Sequence, residues 1–195
     1  ALWRGLSNRP ARGTLIACSG TGDCGRQVQG EACGGLVAEG RVGPRGVVVD
    51  DPGCDQIQAQ VYSVTSYTEL ARNIQDHQRE ALIQPESPIA ACHVNDLLNH
   101  GEWSDAPVIA VSDYVKALPE QLRAAIDAPL RVLGTDGFGR SDTREQLRAF
   151  FEVDSRFIQY SALSELVAAG HMQLNLQGVR EQLGIESDKP NPREH

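Results

Sequence analysis

The sequence contains no apolar run near the roughly 20 residues needed for a bilayer-spanning helix, so it is expected to be a soluble protein. It also lacks an excess of positive charge. Its 18 lysines and arginines face 26 aspartates and glutamates, for a net charge of -8, and they do not cluster as phosphate neutralisation demands, which argues against a general nucleic-acid binder. Small molecules or other proteins are the expected partners. There is no Cys-x-x-Cys pair: the five cysteines, Cys18, Cys24, Cys33, Cys54 and Cys92, are odd in number and irregularly spaced. Zinc and dithiol redox chemistry are therefore unsupported, and reduced thiols in a cytoplasmic protein are expected. His77, His93, His100, His171 and His195 lie in separate segments without His-x-x-x-His spacing, which points to surface or hydrogen-bonded roles. No Gly-x-Ser-x-Gly elbow supports a hydrolase triad, and no Gly-Lys-Ser/Thr loop supports nucleotide hydrolysis. The first ten residues lack both an initiating Met and the apolar stretch of a secretory signal, so the chain reads as a fragment or a processed form.

What is present is an ordinary globular composition, 41% hydrophobic and 23% charged over 195 residues, enough for one well-buried core and too little for two large domains. Composition changes near residue 55. Residues 1–54 hold most of the glycines and four of the five cysteines, and are read as the first strand and helix of the domain. Residues 55–187 alternate short apolar strands with amphipathic helices. Residues 188–195, rich in Pro and charge, are expected to be extended and docked on the surface.

Strands are expected at Thr14 to Cys18, Gly46 to Asp50, Gln60 to Thr65, Pro107 to Ser112 and Leu130 to Leu133, from their β-branched and apolar character and their Gly, Ser or Asp stops. Ser66 and Glu69 form a capping-box pattern ahead of Leu70 and Ala71. A helix is expected near Pro119 to Ile126, with Pro119 in the first turn and Leu122, Ala125 and Ile126 on one face. Asp142 and Glu145 precede another helix carrying Leu147, Phe150 and Phe151. A further helix runs from about Ser155 to Ala169, with Ile158, Ala162, Leu166 and Ala169 as its stripe and Gly170 as its stop. Strands that alternate with helices imply an α/β class: an open, mostly parallel sheet with helices on both faces.

Two glycine loops are candidate sites. Gly20-x-Gly22-x-x-Gly25 follows a predicted strand, and Asp50 ends a second one. In a dinucleotide-binding oxidoreductase the glycines would let the backbone approach pyrophosphate, and the acid would bind a ribose hydroxyl. In a segment this rich in glycine, a plain strand-to-helix turn gives the same pattern. The second loop, Gly134 to Asp142, stands at the carboxyl end of a strand, where open α/β sheets place ligands. Arg140 and the helix N-terminus beyond it favour an anion, while Asp136 and Asp142 oppose one. In the alternative reading the glycines make the turn, Phe138 anchors the loop and Asp142 caps the helix.

Three ordered stretches carry a family likeness: Tyr62 to Leu70, Ser112 to Lys116, and Arg131 to Glu145. They resemble the C-terminal, transketolase-like domain of the homodimeric pyruvate dehydrogenase subunit. Phe151 to Asp154 and Gly184 to Pro192 extend the likeness, which covers about two-thirds of the chain. The Gly137-Phe138-Gly139-x-Ser141 core is also similar to the wider transketolase group.

The resemblance implies a parent subunit that decarboxylates pyruvate on thiamine diphosphate with Mg²⁺, then passes acetyl to a lipoyl-bearing acyltransferase in a large complex. The cofactor carries the carbanion chemistry. In that family a Gly-Asp-Gly motif and paired Asn hold the diphosphate and metal. Neither element occurs here, so no catalytic, cofactor or metal residue is assigned and no cofactor is expected in this chain alone. Asp136, Phe138 and Arg140 are the expected interdomain or dimer contact, with the remaining domains of the subunit or a second copy as partner. Ile16 to Thr21 sits where the family has its first strand and turn. His93 to Trp103 has no clear family counterpart and reads as a lengthened loop.

Overall fold

A strand places successive side chains on opposite faces, and β4 (Val108–Ser112) buries both of its faces. Val108 and Ala110 enter one apolar cluster, while Ile109 and Val111 enter a second. β5 (Leu130–Leu133) divides in the same way: Leu130 and Val132 face the first cluster, and Leu133 faces the second. Both strands therefore lie in a layer with an apolar cluster on each side. The computed structural model describes residues 13–19, 37–39, 58–86, 91–99 and 104–194, with side chains from Tyr62 onward.

The remaining strands among the described residues are β1 (Gly13–Ser19), β2 (Val37–Glu39) and β3 (Gln58–Val64), and the sheet order is β2-β3-β1-β4-β5. β4 and β5 pair in parallel, with Val108 opposite Leu130. β1 pairs antiparallel with both β3 and β4, and β2 antiparallel with β3. The α/β class and the helices on both faces are as expected, but the ladder is mixed and not mostly parallel. The crossover argument governs only strands joined through helices, and β3, β4 and β5 do run in one direction. β1 lies between β3 and β4 in the opposite sense, which converts one parallel neighbourhood into two antiparallel pairs. The strand expected at Gly46 to Asp50 lies outside the described residues.

The first cluster is covered by α1 (Tyr67–Ile83), α2 (His93–Leu98) and α3 (Ala117–Glu120), which continues as a 3-10 helix over Gln121–Ala125. α1 begins where the capping pattern places it: Ser66 Oγ accepts from the Glu69 N–H at 3.2 Å. Its buried residues, Tyr67, Leu70, Ala71 and Ile74, are spaced i, i+3, i+4, i+7 and so share one face. The helix expected near Pro119 to Ile126 is mostly 3-10. Leu122 and Ala125 stand three apart and are buried together, as three residues per turn require. α2 replaces the first part of the expected loop, because Val94 and Leu98, four apart, both reach the core.

On the other face lie α4 (Arg144–Phe150) and α5 (Ser155–Ala168), followed by α6 (Leu176–Gln182). The start of α5 is fixed by Asp154 Oδ1, which accepts from the Arg156 and Phe157 N–H groups at 3.0 and 3.1 Å. Gly170, with φ +79°, ends it as expected. The His171 N–H donates to Leu166 O at 3.0 Å across that turn. The buried stripe of α5 includes Leu163 with Leu166, whereas Ala169 is exposed. Arg131, the outward residue of β5, reaches Glu165 on α5 at 2.7 Å from its Nε. α6 is not among the expected helices; its cap is Asn175, accepting from the Gly178 N–H.

Candidate functional site

Because β3, β4 and β5 share one direction, their carboxyl ends meet along one edge of the sheet. The loops that follow β4 and β5 are held to each other by main-chain geometry. The Thr135 N–H donates to Tyr114 O at 2.9 Å, and Thr135 Oγ1 donates to Asp113 O at 3.2 Å. Asp136 Oδ1 accepts from the Lys116 N–H at 2.9 Å, and Ser112 Oγ, on a buried side chain, accepts from the Tyr114 N–H at 3.1 Å. Gly134 stands so close to its neighbours that a β-carbon there would lie 2.7 Å from Tyr114 O. Only glycine permits that approach.

Beyond this brace the loop turns outward. Gly137 has φ +123°. Phe138 is 72% exposed, so it does not anchor the loop as one sequence reading had it. Asp136 turns Oδ1 to the Lys116 N–H and keeps its negative charge beside the loop. The guanidinium of Arg140 lies over the Phe150 ring, 4.1 Å from its centroid. Thr143 caps α4 in place of Asp142, with Oγ1 accepting from the Gln146 N–H at 3.3 Å. Asp142 instead accepts from the Thr143 N–H at 2.7 Å.

The C-terminal tail completes the region. Lys189 Nζ donates to Phe150 O at 2.7 Å and meets Glu152 Oε1 at 3.0 Å. Glu152 is the one described non-glycine residue with positive φ, at 62°. Pro192 is buried, with its carbonyl against Gly137. Arg140, Arg156 and Lys189 thereby line one cleft of about 420 Å³ together with Asp142, Phe150 and Glu186. Sequence reasoning found Arg140 but missed Arg156, placed by the start of α5, and Lys189, which the return of the tail brings near it.

Other candidates separate. Gly20, Gly22, Gly25 and Asp50 lie outside the described residues. Cys92 is a buried free thiol, and the other four cysteine side chains fall outside the description. His77 and His93 are half-buried, and His77 Nδ1 and His93 Nε2 are buried atoms without a hydrogen-bond partner among the described residues. Burial pushes the Tyr67 phenol above the ordinary tyrosine range, and its hydroxyl donates to Val111 O at 3.2 Å inside the core. Among the described residues no three His, Cys, Asp or Glu side chains are placed to hold a metal ion. No described helix is long and apolar enough to cross a membrane.

Comparison with known proteins gives the family. Residues 53–154, just over half of the chain, match the transketolase-like C-terminal domain model, and the match begins where the composition changes. The pyruvate dehydrogenase E1 component of Escherichia coli (strain K12) is 42% identical over 139 residues, covering 70% of this chain and 15% of that protein. The component of the same name from Buchnera aphidicola subsp. Baizongia pistaciae is 45% identical over 139 residues, with the same shares. That from Cupriavidus necator is 39% identical over 137 residues, again with 70% and 15% covered. The chain thus spans about 15% of the length of the curated relatives it matches. None of these likenesses supports the dinucleotide-binding alternative. On the match of residues 53–154, the chain belongs to the transketolase-like C-terminal domain family.

Proposed function

We propose that this chain is the C-terminal domain of a pyruvate dehydrogenase subunit, and that it supplies structure and contact surface to that subunit and no reacting group. The parent activity is decarboxylation of pyruvate on thiamine diphosphate with Mg²⁺, followed by acetyl transfer to a lipoyl-bearing acyltransferase of a cytoplasmic complex. The 39–45% identity to the three components described above supports the parentage. The described residues offer no group of three His, Cys, Asp or Glu side chains to hold the cofactor's metal ion.

One observation carries the assembly role. The loop after β5 is fixed from within by Asp136 and Gly134, yet it projects Phe138 at 72% exposure, with Tyr114 at 37% on the adjoining loop. A scattered exposed aromatic needs no explanation. An aromatic on a braced loop at the functional edge of a sheet is preorganised for contact, because little entropy remains to be lost on docking. Phe138 is the centre of this interdomain or dimer contact, Asp136 holds its loop in place, and Arg140 flanks it.

The test is reconstitution. The parent subunit lacking this domain is mixed with the 195-residue chain, and association is followed by sedimentation while thiamine diphosphate binding is followed by calorimetry. Association without cofactor binding by the chain alone is expected. Micromolar thiamine diphosphate binding by the chain alone overturns the assignment.

A further inference from the structure

We propose that the cleft bounded by the Arg140 loop, α4, the start of α5 and the C-terminal tail binds a small organic anion: a carboxylate or phosphate carried on an apolar body. At about 420 Å³ the cleft has the size of a small-molecule site. It brings together three cations from three separate parts of the chain, and the three are not equivalent.

Arg156 and Lys189 are already committed. Arg156 grips Asp154 Oδ2 with Nε at 2.9 Å and Nη2 at 2.6 Å, and Lys189 is held by Phe150 O and Glu152. These contacts fix the cleft's shape and neutralise most of the charge. Arg140 differs. Its guanidinium is stacked over Phe150 and makes no hydrogen bond or ion pair among the described residues. The Phe150 ring covers one side of the group and takes none of its N–H donors in a conventional hydrogen bond, and that planar fork matches a carboxylate or phosphate edge.

Asp142 and Glu186 also line the cleft, so its net field is weak. Asp142 turns one oxygen to the Thr143 N–H. Recognition therefore rests on the hydrogen-bonding fork of Arg140 more than on summed charge, and a bare inorganic anion gains little. The remaining contact is apolar: Leu147, Phe157 and Ile185 line the same cleft and offer a surface to a hydrocarbon or aromatic body. Phe138 is not in the lining, and the cleft shares only the flanking Arg140 with the contact proposed above.

Calorimetric titration of the 195-residue chain tests it, with phenyl phosphate and phenylacetate as the two head groups and inorganic phosphate and benzyl alcohol as the separated halves. Saturable one-to-one binding of at least one aromatic anion is expected, roughly tenfold or more tighter than either half. Arg140→Ala should weaken it by about tenfold with an unchanged urea midpoint, Arg140→Lys should retain part of it, and Arg148→Ala, outside the cleft, should leave it intact. The stronger of the two aromatic anions identifies the head group. Inorganic phosphate binding as tightly as phenyl phosphate, undiminished binding in Arg140→Ala, or no saturable binding of either aromatic anion overturns the proposal.

Discussion

The carbonyl oxygen of Pro192 lies where the β-carbon of any residue other than glycine at position 137 would have to go. The tail and the outward-turning loop are thus fitted to each other through main-chain atoms. Gly137→Ala meets two penalties. Its φ of +123° is strained for an L side chain, at a cost of about 1–3 kcal/mol, and the added methyl must displace Pro192. We expect a lowered urea midpoint and faster proteolysis of the tail. In a chain ending at Asp188 the same substitution should cost only the strain. An equal cost in both backgrounds would show that the Pro192 contact contributes nothing.

Thr143 and Asp142 offer a sharper local test. Thr143 satisfies the Gln146 N–H at the start of α4, whereas Asp142 lies one position outside the helix and bonds the Thr143 N–H. Thr143→Ala should destabilise the chain by about 1 kcal/mol. Asp142→Ala, at an exposed position, should cost no more than about 0.5 kcal/mol. Chemical denaturation distinguishes the two, and a reversed order would move the cap back to Asp142.

The misplacement of that cap shows how far the sequence can be read. Ser66 and Gly170 were legible because capping and helix termination depend on neighbours a few residues away. Thr143 and Asp142 are adjacent and both suit a cap, so only the observed backbone separates them. β5 was legible as a short apolar strand, but the insertion of β1 between β3 and β4 was not, since pairing partners far apart in sequence leave no local signal. α6 carries Gly178 in its interior, which weakens its helical pattern. The cleft was legible only at Arg140. Arg156 reaches it because Asp154 starts α5 there, and Lys189 because the tail folds back across Phe150.

Tyr67 gives a prediction in pH. Its buried phenol ionises less readily in the folded chain than in the unfolded one. Its contribution is therefore fully present below the unfolded value of about 10 and is lost as pH rises above it. In that range the unfolded state holds fewer protons than the native state, so the unfolding free energy falls with pH, by at most about 1.4 kcal/mol per pH unit from this group. Tyr67→Phe removes the titration together with the hydrogen bond to Val111 O, and should cost about 0.5–1.5 kcal/mol at neutral pH. The gap between wild type and variant should close as pH is raised from 9 to 11. A constant gap across that range would mean that Tyr67 ionises as easily folded as unfolded.

Phe138 is the centre of the proposed contact. The ring is 72% exposed while Gly134 and Asp136 hold the base of its loop. Within the isolated chain Phe138→Asp therefore removes little packing, and its stability should stay within about 0.5 kcal/mol of wild type. In reconstitution with the remaining domains, the variant places a carboxylate where an aromatic surface is expected to be buried. A buried charge without a partner is costly, and central aromatics dominate interface energies, so association should weaken by roughly tenfold or more. Phe138→Leu, which keeps an apolar contact, should retain most of it. Since stability and association are read on the same protein, a folded Phe138→Asp variant that still associates at wild-type strength would remove Phe138 from the contact, and the assembly surface would then lie elsewhere on the domain.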